Sequence, residues 1–448
     1  MNILVAGASG YIGRELGPRL KQSFPDANII LLSRSEARSE PGLTWKKCDL
    51  FSLKSIEACI PGRIDVAYYL VHSMGPTAQL DQGSFADYDL ILADNFGRAL
   101  KKAGVGHLIY LGGLLPPSSD LSLHLKSRWE VEETFRAHNL PMTVFRAGLI
   151  VGEGGSSTQI LLKLVHRLPF MICPSWTQTQ TSPVDLPSVL SALSQTPLDS
   201  NHIGRVYDLA GCQPLSYLEM MRQTARRLNK KRLFLTVPLF SAWLSRIWVS
   251  LVTNSPRPLV YPLIQSLAHP MVARPAARFP GLKTDRTYFE MISALPLKTQ
   301  PQGSFFPFRP VGKNVRSVQR LPLPPGKDAQ WVCAEYMRWL PRWLWPWVRV
   351  TVKEADVCFA LVFLRRALLD LQLSKERSTP DRQLLYIRGG LLQRGEVGRL
   401  EFREVLDRKY ILAAVHEFHP ALPWLVYKYT QALAHRLVMR RFARHLLG

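Results

Sequence analysis

Ile3-Leu4-Val5-Ala6-Gly7-Ala8-Ser9-Gly10-Tyr11-Ile12-Gly13 opens the chain. Four consecutive apolar residues read as a buried strand, and glycines three apart lead from it into a helix. Such a turn presents backbone N–H groups and a helix N-terminus to a pyrophosphate. A glycine triplet alone is equally an ordinary strand-to-helix turn, so the residues that follow decide. Arg14 to Ser23 is amphipathic, with Leu16 and Leu20 four apart, and Ile29-Ile30-Leu31-Leu32 is a second apolar run. The unit is therefore strand, helix, strand, and Gly7, Ser9, Gly10, Tyr11, Ile12 and Gly13 are the predicted dinucleotide contacts. Where an NAD site carries Asp or Glu for the ribose 2′-hydroxyl, the chain reads Ser33-Arg34-Ser35. A cation at Arg34 fits a 2′-phosphate and predicts NADP (NADPH).

The spacing Gly-x-x-Gly-x-x-Gly resembles that of the extended and atypical short-chain dehydrogenase/reductase superfamily. The resemblance continues through Val66 to Val71 and His107 to Leu111, which stand where strands four and five of that fold run. It implies that Asp49 and Leu50, after a third short strand, contact the adenine; the plainer reading of Asp49 is a turn residue. The fold class expected is α/β, a Rossmann-type doubly wound parallel sheet with a small substrate lobe.

The superfamily's proton-transfer residues are a Ser or Thr after strand five and a Tyr-x-x-x-Lys on the next helix, whose Lys lowers the phenol pKa. This chain departs from both. Strand five runs into Gly112-Gly113, and aligning Ser127 and Glu132 with the family pattern puts His124 at the Tyr and Arg128 at the Lys. His124 is thus the one candidate acid or base, since imidazole titrates near neutrality. The plainer reading, a helix-start residue, is the favoured one for His124. Arg128 cannot deprotonate but suits a cofactor contact. Tyr110 reads as a core aromatic and Asp185 as a helix cap.

The 448 residues are 47% apolar and 20% charged, which is globular and larger than one ordinary domain. Six scattered cysteines, without metal-ligand spacing, and the lack of a secretory segment before the glycines point to a reduced, cytoplasmic protein with no metal. His416 and His419 flank Glu417 without a third ligand and read as structural or surface residues. No uncharged apolar run is long enough to span a bilayer. Leu233 to Val252, interrupted by Pro238 and Arg246 and with Trp243 and Ile247 four apart, reads as a helix of the lobe packed on its neighbour in preference to an interfacial membrane helix, and either gives an apolar pocket wall.

The expected domains are 1–298, nucleotide-binding with its lobe mainly in 213–298; a Pro- and Gly-rich linker, 299–328; and a separate α+β domain, 329–448. The last is expected to carry strands at Phe359 to Leu373, Gln383 to Ile387, Gly398 to Val405 and Tyr410 to Phe418, then one long helix, Leu422 to Leu447. That order resembles the helix-grip architecture of the polyketide-cyclase and START-like superfamily, which implies an apolar ligand between sheet and helix. The formal charge is +23, and from Pro301 onward 25 Lys/Arg face 12 Asp/Glu. Such a surface suits phosphates or anionic lipid headgroups. Nucleic acid is disfavoured because the cations are interleaved with Leu and Trp rather than gathered in a binding motif.

Two functions follow. One is an NADP-dependent oxidoreductase or epimerase acting on a hydrophobic substrate. The other is an NADPH-binding regulator or assembly factor, resembling the nitrogen-regulator-like and complex I accessory-subunit-like members that lack the catalytic residues. Either is compatible with peripheral attachment to an anionic membrane.

Overall fold

The computed structural model describes residues 1–34, 39–73, 80–117, 120–238, 242–282, 286–296, 315–353, 356–362, 367–394 and 398–448. The chain divides into two compact units: Met1–Met74 with Leu92–Pro307, and Gly75–Ile91 with Phe308–Gly448.

The first unit is built on a mostly parallel sheet. Its strands are β1 (Asn2–Ala6), β2 (Asn28–Ser33), β3 (Leu43–Lys47), β4 (Val66–Tyr69), β5 (His107–Gly113), β6 (Met142–Ala147) and, further along the chain, Val206–Leu209. The order across the sheet is Val206–Leu209, β6, β5, β4, β1, β2, β3, and the short strand Ser39–Glu40 closes the β3 edge antiparallel. Parallel strands buried on both faces explain the unbroken apolar runs read in the sequence. Ile3, Val5, Ile29, Leu31 and Tyr68 pack into one core with Leu16 and Leu20 of helix α1 (Tyr11–Ser23). Tyr69 and Tyr110 pack with Phe135 of helix α2 (Leu123–Ala137) at ring separations of 5.0 and 5.8 Å. The order reverses at β1, which pairs with β2 on one side and β4 on the other. In sheets of this kind ligands bind outside the carboxyl ends of the strands at that point.

Among the described residues, the smaller lobe of this unit is built mainly from two short strands and four helices, with the helix Tyr288–Ser293 packed into the same core. Helix α3 (Ser156–Arg167) leads into β7 (Phe170–Pro174), which pairs in parallel with Leu233–Val237, here β8. Helix α4 (Tyr217–Arg227) is capped by Ser216, whose hydroxyl accepts from the Glu219 N–H. Helices α5 (Ala242–Thr253) and α6 (Arg257–Ser266) complete it. The sequence expectation of one helix across Leu233 to Val252 is therefore corrected: the alternating Leu233, Leu235 half is a strand. The side chain of Trp243 lies outside the described residues, while Ile247 is half-buried.

The second unit is a mostly antiparallel sheet in the order Val348–Lys353, Asp356–Leu361, Ala367–Leu373, Arg382–Gly389, Gly398–Val405, Tyr410–Phe418, Val315–Pro322, Leu80–Gln82. Only the last pair is parallel. Helices Ala329–Leu344, Trp424–Tyr429 and Gln431–His445 supply Tyr336, Leu340 and Phe442 to a core shared with Phe402 and Ile411. Off that core, the sheet carries a buried ion cluster: Arg382 Nε lies 2.5 Å from the Glu401 carboxylate, His416 Nε2 lies 3.0 Å from it, and Arg403 bonds the same group. Burial works against the Glu401 charge, but Arg403, His416 and Arg382 outweigh it and hold the carboxyl well below the usual range. His416 is structural.

Four boundaries differ from the sequence expectation. The stretch read as a linker contributes strand Val315–Pro322, while 297–314 lies outside the described residues. The nucleotide-binding region is not contiguous: Leu80–Gln82 pairs with Val315–Ser317, and Asp87 lies 2.9 Å from Arg320. Phe359 to Leu373 is two strands, not one. The terminal helix is interrupted at Thr430, whose φ of −122° and ψ of −83° leave the helical region.

Candidate cofactor and substrate site

The turn from β1 to α1 is tighter than any residue but glycine allows at two positions. Gly7 has φ +86°, and a Cβ on Gly13 would lie 2.3 Å from the Gly7 carbonyl oxygen and 2.6 Å from the Ala8 Cα. The third glycine is thus what lets helix and strand close on each other. Gly10, the N-cap, contributes no side-chain cap, and the first turn holds no acidic residue. An anion approaching this end meets helical N–H groups and the positive end of the dipole. These residues fit a dinucleotide pyrophosphate.

The remaining predicted cofactor residues fall at the carboxyl ends of the strands. Arg34 is exposed, one residue past β2, the neighbour of β1. Asp49, past β3, accepts from the Phe51 N–H at 3.1 Å, a local turn bond. Leu50 is buried, and its carbonyl accepts from Asn95 Nδ2 at 2.9 Å. The side chains of the loop do not all face outward: Ile12 packs on the core, and the Ser9 carbonyl accepts from Arg14 Nε. Tyr11 lies against the Gly152–Gly155 turn so closely that a Cβ on Gly152 would stand 1.9 Å from its Oη. Among the described residues that buried hydroxyl has no hydrogen-bond partner, and burial pushes its pKa up.

Arg128 is held by the protein itself. Its guanidinium donates to the carbonyls of Val71 at 3.0 Å and Leu111 at 2.5 Å, and lies over the Tyr110 ring at 5.1 Å. Tyr110 is fully buried, and its hydroxyl donates to the Arg128 carbonyl. Arg128 therefore ties the loop after β4 to the carboxyl end of β5. Asp185 caps the helix Leu186–Gln195 through the Ser188 N–H.

His124 stands in the first turn of α2, with Nδ1 3.0 Å from Ser266 Oγ at the end of α6. Ser266 Oγ also lies 2.9 Å from Ser122 Oγ and donates to the Pro262 carbonyl. Which of His124 and Ser266 donates to the other depends on the imidazole tautomer; a ring that donates from Nδ1 to Ser266 keeps its lone pair on Nε2. The His72 ring, three residues past β4, lies 5.0 Å from the His124 ring. Sequence reasoning missed both partners. His72 follows a strand of the parallel sheet on the side where ligands bind, which would have marked it; Ser266 has no local signal.

His124 and Ser266 border a cavity of about 150 Å³. Gly113 and Gly148 close one side of it; Leu161, Leu164, Val249 and Ile264 from the lobe helices line much of the rest. The cavity is mainly apolar, and the side chains of His124, Ser157, Tyr217 and Ser266 are among the polar ones that line it. A Cβ at Gly113, the position of the superfamily hydroxyl, would meet nothing nearer than 3.9 Å, so packing does not exclude a side chain there. Among the described residues no group of three His, Cys, Asp or Glu side chains is placed to hold a metal. No helix among them is long and apolar enough to cross a membrane.

Fold and glycine turn together define a Rossmann-type unit whose β1–α1 turn fits a dinucleotide pyrophosphate. The sequence pattern of the NAD dependent epimerase/dehydratase family matches residues 3–117. The auxiliary protein GraX of Staphylococcus aureus is 32% identical over 114 residues, a match covering 25% of this chain and 36% of that protein. This chain thus aligns with only about a third of the curated relative's length. A nucleoside-diphosphate-sugar epimerase from Staphylococcus aureus superposes with a TM-score of 0.53 at 13% identity, over 65% of this chain and 100% of that one. The triphenylmethane reductase of Citrobacter sp. does so with a TM-score of 0.50 at 16% identity, over 65% of this chain and 98% of that one.

Proposed function

We propose that this protein is an NADP(H)-binding, atypical short-chain dehydrogenase/reductase-like oxidoreductase or epimerase acting on a hydrophobic substrate. The observation that carries the reading is the apolar cavity at the carboxyl edge of β5 and β6, bordered by the His124–Ser266 pair. Bound at the glycine turn with its 2′-phosphate at Arg34, NADPH would supply a hydride. The chain's own part is to seat an apolar molecule away from water and to present His124 Nε2 as the group that holds or moves a proton.

The second reading is an NADPH-binding regulator or assembly factor. It is supported by the glycines at 112 and 113 and by the engagement of the Arg128 guanidinium with backbone carbonyls. The C-terminal unit, by its resemblance to helix-grip domains, would hold an apolar ligand of its own. A cytoplasmic protein resting peripherally on an anionic membrane accommodates both readings, given the +23 charge.

The deciding experiment measures NADPH affinity by fluorescence, then NADPH oxidation with long-chain aldehydes, quinones and enones, for the wild type and His124→Ala. The enzyme reading expects turnover that falls in the variant while affinity holds. NADPH binding with no turnover on any of these compounds supports the regulator instead, and absence of NADPH binding removes both.

A further inference from the structure

The outward face of the β7–β8 ribbon is apolar where water should make it polar. Phe170 stands opposite Leu233 and Ile172 opposite Leu235 in register, and their exposures are 45, 64, 51 and 49% respectively. The alternate residues Met171 and Cys173 are buried. A half-buried ribbon ordinarily alternates apolar inward with polar outward; here both faces are apolar, and Leu251 on α5, 71% exposed, adds to the lobe's exposed apolar surface.

The lobe is strongly basic, and Glu219, the carboxylate on α4, lies 3.8 Å from Arg222. Residues 154–184 and 220–284, which make up most of the lobe, hold 13 Lys/Arg and no Asp or Glu. Lys230 and Lys231 are exposed immediately before β8, and Arg167 is exposed immediately before β7. The ribbon is held in place rather than loosely attached. Arg232 donates to the Val165 and His166 carbonyls at 2.8 and 2.9 Å, tying the start of β8 to the end of α3, the helix whose Leu161 and Leu164 line the cavity.

The geometry points to the Phe170–Leu233 and Ile172–Leu235 face as a docking surface for an anionic lipid bilayer. Paired apolar side chains enter the headgroup boundary while Arg167, Lys230 and Lys231 meet lipid phosphates. The inference rests on the membrane-peripheral reading above and gives it a location in the nucleotide-binding unit rather than in the basic C-terminal unit. The large excess of cations over carboxylates in these segments is what selects an anionic lipid surface as the occupant, since a mixed-charge protein partner would need no such bias.

The test is flotation of the full-length protein with phosphatidylcholine vesicles, with and without a one-third share of phosphatidylglycerol, at low and high salt. Three variants are compared: Ile172→Ser/Leu235→Ser, Lys230→Glu/Lys231→Glu, and Leu425→Ser/Leu433→Ser on the exposed face of the C-terminal helices. We expect wild-type binding to the anionic vesicles that weakens with salt, a loss of about tenfold or more in each ribbon variant, and wild-type behaviour in the third. NADPH fluorescence confirms that each variant is folded. Binding lost only in the third variant overturns this location while leaving peripheral attachment standing. No wild-type binding at low salt overturns both. Concentration-dependent self-association that the Ile172→Ser/Leu235→Ser change abolishes, without lipid binding, assigns the face to a second copy and overturns the inference.

Discussion

His124 Nδ1 and Ser266 Oγ are 3.0 Å apart although 142 residues separate them in the chain. The bond joins the first turn of α2 to the last turn of α6, so the sheet-flanking helix and the lobe meet at the border of the cavity. It also orients the imidazole ring at that border. His124→Ala is therefore expected to lower turnover by about 100-fold or more with NADPH affinity unchanged. Ser266→Ala, which only releases the ring, is expected to cost about tenfold and to shift the pH profile of kcat. Equal pH profiles in Ser266→Ala and wild type would show that the serine merely caps its helix.

Gly13→Ala tests the glycine turn. The new methyl would sit 2.3 Å from the Gly7 carbonyl oxygen, so helix and strand must separate. A loss of about 1–3 kcal/mol in stability and of measurable NADPH binding is expected, by thermal denaturation and fluorescence titration. Gly113→Ala, with its nearest neighbour at 3.9 Å, is expected to fold within about 0.5 kcal/mol of wild type.

Arg34→Asp tests nucleotide choice. An aspartate past β2 repels a 2′-phosphate and accepts from a 2′-hydroxyl. NADPH affinity is expected to fall by about tenfold or more while NADH affinity holds or rises, a factor worth ~1.4 kcal/mol. Unchanged preference would remove the argument for NADP.

Arg128→Leu separates the structural and cofactor roles of that residue. It deletes charged hydrogen bonds to the Val71 and Leu111 carbonyls, and a loss of about 2–4 kcal/mol in denaturant unfolding is expected. A variant that keeps wild-type stability and loses only NADPH affinity would make Arg128 a cofactor ligand first.

His107 predicts a pH dependence. It is 5% exposed, and its Nε2 lies 2.7 Å from Thr143 Oγ1. Burial, with nearby His202, lowers its pKa to about 4. In the unfolded chain the imidazole charges near its ordinary pKa of about 6.5, while the folded protein keeps it neutral until about pH 4. Between those values the unfolded state binds the extra proton, so stability falls as pH drops through that window, by roughly 1–3 kcal/mol. Urea unfolding across the window checks it, and His107→Asn is expected to flatten the slope.

Much of the first unit was legible because its signals are local. A glycine that must adopt positive φ, a helix cap three residues from its target, and an apolar run buried on both faces are properties of a few consecutive residues. Asp185 and Ser216 were readable as caps for that reason. Val315–Pro322 was not readable as a strand: its apolar residues Val315, Val318 and Leu321 fall three apart, because a bulge between Val315 and Ser317 and burial of polar Arg316 and Ser317 break the period of two. The break at Thr430 was equally hidden, since the helices on both sides, through Tyr427 and Phe442, supply the same core.

The sequence by itself determined that a strand, a tight glycine turn and a helix open the chain, because close backbone approach depends on residues that lack a Cβ. Only the tertiary structure decided that His124 meets Ser266 at an apolar cavity, that Arg128 is held by strand-end carbonyls, and that residues 80–91 build the second unit. Those outcomes depend on chain segments dozens to hundreds of residues apart, whose pairing is set by burial and hydrogen-bond satisfaction across the whole fold rather than by any local pattern.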